Sequence, residues 1–150
     1  MTPPPSRRPI ELPALTGGKV VSNTALRWVG PFLPTLERAF GASTGTLTGV
    51  MGVAELGGLT TVATGPFLDR GRERRIYLLG LAGVAVSSLI ALAGSVTTFA
   101  ISFTLLVIGV GNLTVAGHAW IGHRVPYSAR SRAIGVFETS WAISLLAGAP

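Results

Sequence analysis

The sequence contains a run of 48 residues, positions 76–123, without a single Asp, Glu, Lys or Arg. As one α-helix this run would be about 72 Å long, at about 1.5 Å per residue. The hydrocarbon core of a bilayer is only about 30 Å thick. The run is therefore too long for a single crossing, and residues 94–98 are the natural place for the chain to fold back. Two membrane-spanning helices of about 20 residues each are expected here.

A cluster of charged residues precedes this run. Positions 69–75 hold four of the twelve basic residues and two of the six acidic ones, whereas residues 39–68 contain only Glu55 as a charge. A charged segment between two apolar runs is typical of a short, water-exposed turn between two spanning helices. The whole chain is 12% charged, and soluble domains usually carry about 25%. The composition therefore indicates a membrane protein.

Several classes of site and partner are excluded by the sequence. The net charge of +6 would favour nucleic acid in a soluble protein, but the arginines lie between apolar runs, so we expect no nucleic-acid partner. No cysteine is present, which excludes thiolate zinc sites and Cys nucleophiles. His118 and His123 are five residues apart and lie on different helix faces, so no metal site is predicted. His118 is expected within hydrogen-bonding reach of Thr114, as a structural partner or else as a proton relay. No phosphate loop, G-x-S-x-G or H-E-x-x-H motif is present, so neither an enzyme nor a cofactor is predicted.

The apolar runs predict an all-α integral membrane fold with five transmembrane helices. The predicted spans are about 18–36, 43–68, 76–93, 99–121 and 133–150. Residues 1–16, with five prolines, are predicted to form a disordered cytoplasmic tail, and residues 17–150 a partial transmembrane bundle. Gly45 and Gly49 form a G-x-x-x-G pair, which is expected to let two helices approach closely.

The distribution of Lys and Arg predicts the orientation of the chain. Ten basic residues lie in the amino-terminal segment up to Lys19, the segment 68–75 and the segment 122–132, and only Arg38 lies in the connections of the opposite side. Cytoplasmic loops are enriched in Lys and Arg. The amino terminus is therefore predicted to be cytoplasmic, and the chain to cross the plasma membrane several times.

Three stretches resemble motifs of the major facilitator superfamily (MFS) of transporters. Residues 27–34 resemble its first-helix R-x-x-x-P-F-L-P, residues 65–75 its G-x-x-x-D-R-x-G-R-R loop between helices 2 and 3, and residues 130–141 its entry into helix 5. In the loop, Gly71 comes one position early and Glu73 stands where the family has an Arg. The resemblance identifies the chain as the amino-terminal portion, helices 1–5, of an MFS-type transporter.

The resemblance implies a function that this chain would share with a longer protein. The family fold has six helices in each half and a substrate site between the halves, so five helices form an incomplete amino-terminal half. The implied activity is secondary active transport of an unidentified small solute by alternating access, and the implied partners are that solute, the lipid bilayer and the missing second half of the transporter. The alternative is a truncated remnant or a membrane assembly partner without transport activity of its own.

Charged and polar residues within the spans are the candidates for a substrate or coupling site, because a charge at mid-membrane usually faces the bundle interior or water. Arg27 and Glu55 both fall near mid-depth. They either form a buried ion pair that fixes packing, or Arg27 lines a cavity and meets an anionic substrate or a coupling carboxylate. Asn23 lies one turn before Arg27 on the same face. Glu138 and Trp141 share a face of the fifth helix and form either a proton or substrate site or a packing contact.

The loop between helices 2 and 3 supplies a second group of candidates, Gly65, Asp69, Arg70, Arg74 and Arg75. Asp69 lies close to a helix amino terminus, where a carboxylate meets unsatisfied N–H groups. It is either a helix cap and topology signal or, as the resemblance implies, a latch that holds the two halves of a transporter together. The arginines are orientation charges that contact lipid headgroups, or else part of this gate.

Overall fold

The computed structural model describes residues 11–148, which form helices and no strands in that range. The helices are α1 (Glu11–Arg27), α2 (Leu33–Phe40), α3 (Thr44–Ala54), a 3₁₀ helix (Glu55–Leu59), α4 (Thr60–Asp69), α5 (Glu73–Ala91), α6 (Val96–Arg124) and α7 (Tyr127–Gly148). This architecture confirms the predicted all-α membrane fold class. Residues 1–10 of the predicted tail and the last two positions of the fifth span lie outside the described residues.

The first predicted span, 18–36, is not one continuous helix. α1 begins at Glu11, so residues 11–16 are helical and the prediction that they belong to a disordered tail is wrong. α1 ends at Arg27, and turns at 28–32 separate it from α2. Pro31 lacks the N–H that a continuing helix would need. Pro34 falls in the first turn of α2, where a missing N–H costs nothing because that group has no partner within the helix.

The second limb of the bundle consists of α3, the 3₁₀ helix and α4, which follow one another without a break from Thr44 to Asp69. Its start is set by Ser43, whose Oγ accepts a hydrogen bond from the Thr46 N–H at 3.2 Å. Gly57 in the 3₁₀ helix faces Ile108 of α6 so closely that a Cβ on Gly57 would overlap it. The absence of a side chain at Gly57 therefore lets this limb pack against α6.

α5 and α6 form an antiparallel helical hairpin with the most extensive helix–helix contact in the described chain. Gly94 adopts a positive φ of 66° in the connecting turn, and a capping box between Ser95 and Thr98 starts α6. A Cβ on Gly80 would lie 2.7 Å from the carbonyl oxygen of Gly109, so the two backbones touch. Small residues allow such contacts in membranes, where hydrophobicity alone does not drive helix association.

The predicted G-x-x-x-G contact at Gly45 and Gly49 is not formed. Gly49 has no atom of a neighbouring segment within 4 Å, and Gly45 is close only to Ser43. Both residues lie on an exposed part of α3. The close approach of helix backbones expected there occurs between α5 and α6.

α6 is the central helix of the bundle, since it packs against α1, α3, α4, α5 and α7. Three helical stretches in the described range are long and apolar enough to cross a membrane, namely Thr44–Asp69, Glu73–Ala91 and Val96–Arg124. The other two limbs are α1, of 17 residues, and α7, which begins at Tyr127 rather than at the predicted position 133. These two limbs carry most of the polar residues that follow.

Candidate functional site

A carboxylate of α7 binds two basic side chains from other helices. The Lys19 Nζ of α1 lies 2.6 Å from the Glu138 Oε1, and the His118 Nε2 of α6 lies 2.9 Å from the same oxygen. The Lys19 side chain is only 1% exposed, whereas Glu138 is 38% exposed and His118 is 42% exposed. The cluster thus joins three helices and reaches from the interior of the bundle to its surface.

The spacing of residues along α1 and α7 brings further side chains into the same interface. Lys19, Asn23 and Arg27 are four residues apart and share one face of α1, and Glu138 and Trp141 are three apart on α7. These two helices pack against each other along much of their length. We call these five residues the polar seam. The sequence predicts the shared faces of Asn23 with Arg27 and of Glu138 with Trp141 but not the place of Lys19, and the structure brings the two faces together.

Arg27 contacts an aromatic ring rather than a carboxylate. Its Cζ lies 3.4 Å from the centroid of the Trp141 ring, a distance at which a guanidinium is attracted by the negative face of the indole. Asn23 is buried, and its Nδ2 has no hydrogen-bond acceptor in the part of the chain that the structure describes. The part of the seam formed by Asn23 and Arg27 therefore holds two donor groups without an anionic partner among residues 11–148.

Of the two alternatives for Arg27 and Glu55, the ion pair between them is not formed. Glu55 is exposed at the start of the 3₁₀ helix, and the ion pairs among residues 11–148 do not include it. The prediction treated the first span as a continuous helix beside the second, whereas α1 ends at Arg27 and packs mainly on α7. A role for Glu55 in a substrate or coupling site stays a prediction.

Phe137 forms the apolar wall of the Lys19 site. Its ring centroid lies 4.2 Å from the Lys19 Nζ and 5.3 Å from the His118 ring, in an edge-to-face arrangement. Gly117 makes room for this ring, because a Cβ there would overlap it. His118 thus contacts Glu138 and Phe137, and the expected hydrogen bond to Thr114 is not formed.

Lys19 is the residue of this site that the sequence analysis missed. It was counted as one of the positive charges that set the orientation of the chain. Its position four residues before Asn23, in register with Arg27, is the signal that could have placed it on the polar face of α1. Its partner Glu138 is 119 residues away, and no local pattern indicates that pairing.

The loop between α4 and α5 is a tight helix-ending turn. Gly71, with a φ of 72°, donates its N–H to the Leu68 carbonyl, and Arg72 donates to that of Phe67. This pair of bonds is a Schellman motif, which favours Gly at the position after the helix cap. The early position of Gly71 therefore follows from the helix ending at Asp69.

The candidate gate residues of this loop are mostly at the surface. Asp69, Arg70, Arg74 and Arg75 are exposed, and Asp69 has no side-chain ion pair among residues 11–148. Gly65 lies inside α4 with open space around it. No ion pair or cation–π contact within residues 11–148 joins these residues to the polar seam, so the loop and the seam are treated as two separate candidate sites.

The buried charge of the loop is Glu73, which is 2% exposed. Its Oε1 lies 3.4 Å from the Arg124 Nε and 3.8 Å from the His123 Nδ1, both at the end of α6. The carboxylate also benefits from its place in the first turn of α5, where the helix dipole is positive. Glu73 departs from the family pattern, and it ties the start of α5 to the end of α6.

A cavity of about 890 Å³ adjoins this ion pair. It is an open cleft lined by the beginning of α1, the beginning of α5 and the end of α6, with Glu11, Tyr77 and Trp120 in its wall. No group of three or more His, Asp or Glu side chains within residues 11–148 could hold a metal ion. The polar seam and this cavity lie in different parts of the described bundle, and both adjoin an ion pair.

Comparisons with known proteins agree with this architecture. Residues 15–150 match the family model of the Major Facilitator Superfamily. The chain is 28% identical over 141 residues to the uncharacterized MFS-type transporter YwfA of Bacillus subtilis (strain 168), covering 91% of this chain and 34% of YwfA. It is also 28% identical over 145 residues to the uncharacterized MFS-type transporter Rv1877 of Mycobacterium tuberculosis (strain ATCC 25618 / H37Rv), covering 96% of this chain and 21% of that protein.

No solved structure matches the chain significantly. The chain spans about one third of the length of YwfA and about one fifth of that of Rv1877. Within that portion, the family match takes in the described bundle from Leu15 onward, including the polar seam and the loop before α5. The chain belongs to the major facilitator superfamily, a family of membrane transporters.

Proposed function

We propose that this chain is the amino-terminal part of a secondary active transporter, which moves a small solute across the membrane by alternating access. The observation that carries the proposal is the Lys19–Glu138–His118 cluster inside an apolar helical bundle. A charge placed at membrane depth costs about 2.5–3.5 kcal/mol on insertion scales, and such residues usually mark the path of a substrate or an ion.

The exposure of the cluster supports a site shared with a second half of the protein. Glu138 and His118 are partly exposed and Trp141 is exposed, although all three lie on helices of the bundle. In transporters built from two repeats, the substrate site lies near the bilayer midplane at the interface between them. Because this chain spans a third or less of its relatives, the second half would come from outside it.

The loop before α5 is proposed to act as a gate. Asp69, Arg70, Arg74 and Arg75 project from the surface and are therefore free to meet a partner surface. In the proposed mechanism, Asp69 binds the second half in the outward-open state and releases it when the protein opens inward. The rigid turn at Gly71 and the Glu73–Arg124 contact hold the loop in place for this task.

We propose that the amino terminus and this loop face the cytoplasm of a cell whose plasma membrane the chain crosses several times. The chain has no cysteine, so single cysteines report the topology without further changes. In Arg70→Cys, an impermeant thiol reagent is expected to label the protein only after the cells are permeabilised. In Ser95→Cys, it is expected to label intact cells. The opposite labelling pattern would contradict the orientation.

Transport is tested with the natural full-length product of the gene that encodes this chain, reconstituted in liposomes and supplied with a panel of radiolabelled solutes. Glu138→Gln is expected to lower the uptake rate at least tenfold. Glu37→Gln is the matched control, because Glu37 lies on α2 and hydrogen-bonds Thr44 instead of the seam. If no solute is taken up, the assembly-partner alternative replaces the transporter. Equal uptake by both variants would remove Glu138 from the mechanism.

A further inference from the structure

We propose that the polar seam binds a small organic anion, with Arg27 and Asn23 as its hydrogen-bond donors. This proposal rests on the transport function above and adds the charge of the substrate. The balance of charges within the seam favours an anion. Lys19 and Arg27 each carry one positive charge, and Glu138 is the one carboxylate that pairs within the seam. All six acidic residues of the chain lie in the described range, and the other five are Glu11, Glu37, Glu55, Asp69 and Glu73.

The surplus positive charge is located at Arg27. Glu138 neutralises Lys19 at 2.6 Å, whereas the Arg27 guanidinium has no ion pair among residues 11–148. The Trp141 ring covers one face of that guanidinium, and no carboxylate in that range pairs with its N–H edge. This edge presents parallel N–H groups that match the two oxygens of a carboxylate or phosphate. Arg27 is therefore placed to bind an anion through two hydrogen bonds.

Asn23 supplies an independent observation. The side chain is 5% exposed, and its Nδ2 donor is buried without an acceptor in the described part of the chain. An unsatisfied buried donor costs about 1–3 kcal/mol. Asn23 lies one helical turn from Arg27 on the same face of α1. An oxygen atom held by Arg27 would also satisfy this donor.

The position of Trp141 favours an anion that has an apolar body. Trp141 is 51% exposed and lies beside Arg27, although its helix packs within the bundle. An indole face offers an apolar surface to an organic group, and it gives a bare phosphate ion nothing to contact. The site thus favours an organic carboxylate over inorganic phosphate.

The test is a calorimetric titration of the 150-residue chain in lipid nanodiscs with three probes. Benzoate is expected to bind saturably at millimolar concentration. Benzylammonium has the same ring and the opposite charge, and it is expected not to bind. Inorganic phosphate is expected to bind at least tenfold more weakly than benzoate. Saturable binding of benzylammonium, or none of benzoate, would overturn the proposal. Phosphate binding as tight as that of benzoate would overturn the argument from Trp141.

Variants locate the site. Arg27→Gln is expected to weaken benzoate binding at least tenfold, and Arg27→Lys, which keeps the charge but not the fork of N–H groups, to weaken it less. Arg38→Gln on α2 is the control and is expected to bind like the parent. Circular dichroism verifies that each variant is helical, and unaltered binding by a helical Arg27→Gln would refute the site.

The two proposals fail in different ways. If the full-length protein takes up only cationic or neutral solutes, the transport function stands and the anion site is wrong. If the chain binds benzoate but the full-length protein takes up no solute, the anion site stands and the transport function is wrong.

Discussion

Removing the carboxylate of Glu138 is expected to destabilise the chain more than removing the ammonium of Lys19, although both changes break the same ion pair. Glu138→Gln leaves a lysine that is 1% exposed without a counter-charge. Breaking a buried pair in this way costs about 3–5 kcal/mol. Because the Glu138 side chain is 38% exposed, water already weakens the attraction, and we expect a cost of about 2 kcal/mol.

Lys19→Met keeps the length of the side chain and leaves the Glu138 carboxylate in contact with His118 and solvent. The expected cost is below about 1 kcal/mol, as for an exposed ion pair. In the double variant no charge is left unpaired in the interior. The double variant is therefore expected to be more stable than Glu138→Gln alone, by about 1 kcal/mol or more.

The four proteins are compared by their free energy of unfolding in a fixed mixture of mild detergent and dodecyl sulfate, followed by circular dichroism. The difference between the sum of the single effects and the double effect is the coupling energy of the pair. Additive effects would show that Lys19 and Glu138 do not interact. A larger cost for Lys19→Met than for Glu138→Gln would refute the argument from burial.

Two further predictions use the same unfolding measurement. Gly80→Ala is expected to destabilise the chain by up to about 2 kcal/mol, because overpacking at the α5–α6 contact costs about 1–3 kcal/mol and the higher helix propensity of Ala offsets about 1 kcal/mol of that cost. Gly83 has only ordinary contacts around it, so Gly83→Ala is expected to be neutral or stabilising. Equal effects of the two substitutions would contradict the close contact at Gly80. Arg124→Gln is expected to lower the free energy of unfolding by about 1–2 kcal/mol, because it leaves the buried Glu73 carboxylate nearly unpaired, whereas Glu73→Gln is expected to lower it less. A larger loss for Glu73→Gln would contradict the ion pair.

The positions of the apolar helices could be read from the sequence because they depend on where charges are absent. The predicted spans 43–68 and 76–93 differ by only a few residues from Thr44–Asp69 and Glu73–Ala91. The break after Arg27 has a local signal too, in the prolines at 31 and 34. The absence of charges marks where an apolar run extends but not where its helix ends, so one continuous first span was predicted, and the alternative of an Arg27–Glu55 pair depended on that span.

The contacts of the polar seam could be predicted only in part. Shared faces follow from the period of the α-helix, which is local, so Asn23 with Arg27 and Glu138 with Trp141 were assigned correctly to common faces. Which face meets which depends on how helices far apart in sequence pack. The pairs Lys19–Glu138 and Glu73–Arg124 join residues 119 and 51 positions apart, and a single sequence contains no pattern that links them.

The 3₁₀ helix at Glu55–Leu59 has a geometric consequence for the limb from Thr44 to Asp69. A 3₁₀ helix turns about 120° per residue and an α-helix about 100°, so five residues shift the angular phase of α4 by about 100° relative to α3. The same residues lengthen the limb by about 2.5 Å, because the rise is about 2.0 Å instead of 1.5 Å. Side chains that a helical wheel would align across this segment therefore point about a quarter turn apart, and α3 and α4 present different stripes of the sequence to the same neighbour, α6.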